Sequence, residues 1–226
     1  MQKTEIINKI KNIVTEALAW ETTGHDDFHV FRVYNNAKAI AKKEWWDMFI
    51  IECASLLHDI ADYKFHNLDE KKWWRVARAV LEELEVEKSD IDKIIYIIDN
   101  MSFHKEVFNI KKHPENLKKE LFVVMDADKL DGTWAMAIAR TFAFWGVFNR
   151  QIYNPDIKIN NFKTKDEYIA QYGDGQNHHS INHFYEKLLK IKDMMRTETW
   201  CKEALKRHKV LEKFLEDFMR EWDAKL

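Results

Sequence analysis

Glycine and proline are scarce in this chain, five and two among 226 residues. Both are kept out of helix interiors, so their scarcity argues against a turn-rich β architecture and for a helical one. Cysteine is too rare for a disulfide scaffold. Cys53 lies inside an apolar run and Cys201 is the only other, so both are expected to be reduced, structural thiols of a cytosolic protein. Long hydrophobic runs are absent too. The strongest, residues 48–57, is broken by Glu52 and too short to cross a bilayer. The N-terminus alternates Lys3, Glu5, Lys9 and Lys11 with apolar residues instead of building a signal-peptide core. No charge sign dominates: a formal net charge of −2 gives no reason to expect nucleic acid as a partner. A soluble, cytoplasmic protein with no membrane partner is expected.

What is present is apolar and periodic. Hydrophobic residues make up 46% and aromatics 13%, enough for a globular core. Ile6, Ile7, Ile10, Ile13, Val14, Ala17 and Leu18 recur at helical spacing, as do Trp73, Val76, Ala77, Val80, Leu81 and Leu84. Helix-start patterns stand at Asn67–Glu70, Ser89–Asp92 and Thr164–Glu167. The reading is an all-α protein of roughly eight to ten helices. Residues 149–177, with Pro155, Gly173 and Gly175, read as a long connection holding one short helix. Two helices, at about 178–195 and 198–223, should follow. No linker or repeat divides the chain, so residues 1–226 are taken as one domain.

Four residues stand out as an ordered set: His29, the pair His58-Asp59, and Asp128. Two imidazoles and two carboxylates from three apolar segments form a ligand set for a hydrolytic divalent metal. Mixed nitrogen and carboxylate ligation suits Mn, Fe, Co, Ni or Zn, whereas Mg prefers oxygen alone. Burying four such groups together without a cation would be costly. Asp62 follows His58 by four residues and shares its helical face, close enough to act as a general base on a bound water. Asp126 competes with Asp128 for the fourth place. Two residues apart on a helix, they point to nearly opposite sides, and Asp128 is preferred. His25 and His29, at i and i+4, would supply half of a zinc site, but nothing nearby supplies the rest.

These residues resemble the signature of the HD-domain metal-dependent phosphohydrolases. The resemblance extends to Gly24-His25-Asp26, Arg32-Val33, residues 57–64, residues 126–131, residues 139–142 and residues 183–188. It covers nearly the whole chain and is similar to the small bacterial nucleotide pyrophosphohydrolases of that family. It implies an HD-domain helical bundle with additional C-terminal helices, the metal-site core spanning about 20–135 and the C-terminal part about 136–226. It implies one divalent metal, Mn commonly effective, held by His29, His58, Asp59 and Asp128. It also implies hydrolysis of (deoxy)nucleoside triphosphates to monophosphate and pyrophosphate, with Asp62 as the catalytic acid-base group. Lys64, Lys187, His183 and Arg32 are then the candidates to grip the polyphosphate, Lys64 next to the catalytic segment. Arg140 is a further basic candidate. Related activities, a 5′-nucleotidase or a phosphodiesterase, remain alternatives, as does a nucleotide-binding regulator without turnover. Trp134 and Ala137 depart from the pattern, standing where relatives tend to carry glycine.

Overall fold

The scarcity of helix breakers is realised as eleven α-helices in a computed structural model that describes residues 1–44, 46–61, 72–108, 112–173 and 177–225. Glu44, Lys72 and Trp73 are described by their backbone alone. Among the described residues there is no strand, only an isolated bridge between Gln151 and His179. The residues group into two compact units, Met1–Asp128 and Lys129–Leu226.

The first unit holds α1 (Lys3–Leu18), α2 (Asp27–Glu44), α3 (Met48–Leu57), α4 (Lys72–Glu83), α5 (Lys88–Asn100), α6 (Phe103–Phe108) and most of α7 (Glu115–Asp131). Its centre is α3, which packs on α1, α2 and α5. That placement follows from composition: eight of its ten residues are buried, as a helix apolar on every side requires. Asp47 starts it, its carboxylate accepting from the N–H groups of Phe49 and Ile50. α1 shows the opposite pattern. Only Ile6, Ile7, Ile10, Val14 and Leu18 are buried, one stripe of an amphipathic surface helix. Ala17, expected on that stripe, is exposed.

The second unit holds α8 (Ala135–Val147), α9 (Lys165–Ala170), α10 (Ser180–Glu186), a 3-10 segment (Leu188–Met194) and α11 (Glu198–Trp222). Its core gathers Leu130, Ile181, Phe184, Leu188, Ile191, Leu211 and Leu215. The expected helix over about 178–195 is therefore split. Buried Leu188 and Ile191 stand three residues apart, a spacing that the three-residue turn of a 3-10 segment eclipses on one face. The long connection does contain one short helix, α9, opened by a capping box: Thr164 Oγ accepts from Glu167 N–H and the Glu167 carboxylate accepts from Thr164 N–H. No described helix is long and apolar enough to cross a membrane.

Candidate metal centre

The centre lies in the first unit and draws on α2, the end of α3 and α7. Asp26 caps α2, its carboxylate accepting from His29 N–H at 2.7 Å, which fixes His29 in the first turn. His29 is fully buried. Helix α3 ends at Leu57, one residue before the His-Asp pair. His58 is its C-cap, and Ile60 N–H reaches back only three residues to Leu57 C=O, at 3.4 Å. The pair thus sits on a tightening turn instead of a continuing helix. Asp62 and Lys64 themselves lie outside the described residues.

From these three elements four ligand atoms converge. His29 Nε2 and His58 Nε2 face each other at 3.3 Å. Asp59 Oδ2 is 3.4 Å from each of them. Asp128 Oδ1 is 3.5 Å from His29 Nε2 and 3.9 Å from His58 Nε2. Ligands bound at roughly 2.0–2.2 Å to one cation stand roughly 3.0–3.5 Å from their neighbours, so these separations leave room for a single ion. The donor chemistry fits as well. His58 Nδ1 lies 2.8 Å from Ser55 C=O, and donating there leaves Nε2 as the ligand nitrogen. Of the two competing aspartates, Asp128 joins the cluster. Asp126 is buried and belongs to neither His/Asp group found among the described residues.

The electrostatics are those of a site awaiting a positive charge. Burial acts to lower the His58 pKa, yet the Asp59 and Asp128 carboxylates, with the Ser55 hydrogen bond, outweigh it and raise the value to about 9. Burial acts to raise the Asp59 pKa, and the facing His58 and His25 imidazoles overcome it and hold the carboxyl well below its ordinary range. The Asp128 side chain is 37% exposed, while the two imidazoles are buried.

His25 is the residue whose part sequence reasoning missed. It precedes α2, and its Nδ1 lies 2.6 Å from Asp59 Oδ2. His25, His29 and Asp59 form one group of potential ligands, and His29, His58 and Asp128 form another that shares His29 with it. The four-residue spacing from His29 marked it, although as half of a zinc site.

The basic candidates are spread. Arg32 follows His29 by three residues on α2, half-buried on a neighbouring face. In the second unit, His183 packs its ring edge-on against Trp145 at 5.3 Å, and Lys187 closes α10. Arg140 is committed elsewhere: it donates to buried Asp131 at 2.8 Å.

Helices that bring two imidazoles and two carboxylates to one point define a class, that of a helical protein equipped to hold a divalent cation. Comparison with known proteins narrows it. Residues 27–133 match the HD domain. The chain is 33% identical to the uncharacterized protein YpgQ of Bacillus subtilis (strain 168) over 221 residues, 95% of this chain and 93% of YpgQ. A crystal structure from Lactobacillus plantarum superposes with a TM-score of 0.84 at 31% identity, covering 99% of this chain and 100% of that one. An HD-superfamily hydrolase of Bacillus thuringiensis does so with a TM-score of 0.70 at 37% identity, again over 99% and 100%. Bacillus subtilis YpgQ in complex with ADP matches with a TM-score of 0.68 and 28% identity in the structural alignment, over 98% and 97%. The chain belongs to the HD-domain family, and with it to the metal-dependent phosphohydrolases.

Proposed function

We propose that this chain hydrolyses (deoxy)nucleoside triphosphates to monophosphate and pyrophosphate, with one divalent transition metal, Mn the expected ion, held by His29, His58, Asp59 and Asp128. The observation that carries the reading is the convergence of those four ligand atoms, each imidazole nitrogen within 3.9 Å of both carboxylates. A nucleotide substrate is supported by the relative YpgQ, whose structure has been solved with ADP. A divalent ion in this position supplies Lewis acidity to the phosphoryl oxygens and makes a nucleophile of water at neutral pH.

The chain's own residues do the rest. Ser55 C=O orients the His58 ring. Enclosure of both imidazoles keeps bulk water off the ligand side, and the open Asp128 side is where a phosphate chain enters. Asp62 is assigned to orient and deprotonate the attacking water, and Lys64 to neutralise the phosphoryl charge. Arg32, His183 and Lys187 are assigned to the polyphosphate. The protein is taken as one functional domain, because its solved relatives align over 98–99% of it. A cytoplasmic setting fits the free thiols of Cys53 and Cys201.

The test is product analysis with Mn²⁺ across nucleoside and deoxynucleoside mono- and triphosphates, separating pyrophosphate from orthophosphate. Pyrophosphate with monophosphate is expected. Orthophosphate from monophosphates would make the protein a nucleotidase instead, and no product from any nucleotide in metal-loaded protein would sink the nucleotide reading.

A further inference from the structure

We propose that Glu21 is a positioning residue of the metal centre, acting through His25 on Asp59. The inference rests on Asp59 being a metal ligand and adds a residue to that site. Glu21 lies in the connection between α1 and α2 and folds back on its own loop. Its two carboxylate oxygens accept from Thr23 N–H at 3.0 and 2.9 Å, and Oε2 also accepts from His25 N–H at 3.0 Å. Between the two pinned residues Gly24 takes φ 85, a left-handed turn that glycine adopts without strain. Thr23 is buried beneath the turn. The backbone leading into His25, up to its own N–H, is therefore fixed by Glu21.

That side chain ends at Asp59. The separation of 2.6 Å between His25 Nδ1 and Asp59 Oδ2 is shorter than the roughly 3.0–3.5 Å between co-ligands of one ion, and matches a charge-assisted hydrogen bond. His25 is thus an outer partner that steers a ligand and not a fifth ligand. Its ring also stands edge-on to His29, centroids 5.4 Å apart, which leaves it little room to swing. Asp59 needs such a partner because it follows the C-cap of α3 and has no helical turn to set its direction. One loop thereby serves both ends of the site: Asp26 fixes His29, and Glu21 fixes His25.

The experiment is Mn²⁺ titration by calorimetry of the full chain carrying Glu21→Ala, His25→Ala, both together, and Glu21→Gln. Glu21→Ala should weaken Mn²⁺ binding by roughly 10–100-fold, the usual cost of losing an outer-sphere partner. The double variant should bind no more weakly than His25→Ala alone, since Glu21 works only through that ring. Glu21→Gln keeps one acceptor oxygen and should recover most of the affinity. Additive losses in the double variant, or an unchanged affinity in Glu21→Ala, would overturn the proposal and leave Glu21 as a loop brace. A wild-type chain that binds no Mn²⁺ or other divalent ion would fail the metal reading itself, a separate outcome.

Discussion

Among the described residues each unit holds a pair of buried histidines, His29 with His58 in the first and His178 with His179 in the second, and their surroundings give the pairs opposite characters. In the first unit His29 and His58 turn Nε2 toward Nε2, with Asp59 and Asp128 beside them. In the second, His179 caps α10, its Nδ1 accepting from Asn182 N–H at 3.1 Å. His178 meets the Asn160 amide at 3.0 Å and stacks on Phe162. The carboxylate of that network, Glu186, accepts from the Asn160 backbone N–H and side-chain amide at 3.0 and 3.1 Å. The proton preferences diverge accordingly. His58 is raised to about 9, whereas burial, aided by the Arg150 charge, lowers His179. An imidazole facing carboxylates keeps a proton until a metal replaces it; one that must accept an N–H stays neutral. Burial alone does not mark a functional histidine. What sets the first pair apart is two imidazoles and two carboxylates gathered together, each carboxylate within 3.9 Å of both Nε2 atoms.

The largest test of that difference is ligand removal. His58→Ala should abolish Mn²⁺ binding and turnover, well beyond the roughly 10–100-fold cost of an outer-sphere change. Retained metal in that variant, read by elemental analysis, would break the comparison. The pH dependence comes next. In metal-free protein His58 is protonated below about 9, so Mn²⁺ must displace that proton. Apparent affinity should fall by roughly tenfold per pH unit from 9 down toward 6.5. Asp59, held low, stays ionised throughout. Stability follows with opposite signs. The raised His58 pKa stabilises the metal-free fold fully below its unfolded value, and that contribution is lost as pH rises through about 9. The lowered His179 pKa gives a contribution present above the unfolded value and lost as pH falls below it. An Mn²⁺ affinity flat across this range would remove the electrostatic half of the contrast.

His179→Ala probes the other side. It removes a helix cap, so it should cost about 1 kcal/mol and lower Tm by roughly 2–4 °C. Mn²⁺ affinity should be unchanged. A loss of metal binding in this variant would show that the second pair is no mere scaffold.

Much of this was legible beforehand, for identifiable reasons. Helix breakers are so few that the fold class follows from composition, and Thr164-x-x-Glu167 opens α9 because a capping box is a purely local device. The four residues of the His/Asp cluster were readable as residue types in order. Ser89 was less well read. α5 begins at Lys88, with Glu87 at the cap position making no side-chain cap bond. The start is set by the preceding turn, in which Glu85 adopts φ 54 and Val86 N–H donates to Leu81 C=O. The end of α3 at Leu57 was likewise invisible, since an apolar run gives no stop signal. The Glu21–His25–Asp59 connection spans 38 positions along the chain from residue 21 to residue 59 and depends on tertiary folding, which no local pattern encodes. Trp134, noted as standing where relatives tend to carry glycine, has φ 79 and ψ −164, a region that glycine alone occupies comfortably.

That tryptophan gives the smallest expected effect and the finest version of the same lesson. Trp145 and Trp134 are the same residue in opposite settings, 1% and 46% exposed. Truncating a buried tryptophan such as Trp145 ordinarily costs about 3–5 kcal/mol. For Trp134→Gly three smaller effects oppose one another. Relief of the backbone strain gains about 1–3 kcal/mol. Loss of the Arg207 guanidinium, 4.9 Å over the ring, costs about 0.5–1 kcal/mol at an exposed position. The added freedom of glycine in the unfolded chain costs about 0.4–1 kcal/mol more. The balance runs from a loss of about 1 to a gain of about 2 kcal/mol and centres on a gain of about 0.5 kcal/mol, so Tm should shift by only roughly 1–2 °C, upward. A fall of the size expected for a core tryptophan would mean that the indole contributes packing well beyond its contact with Arg207.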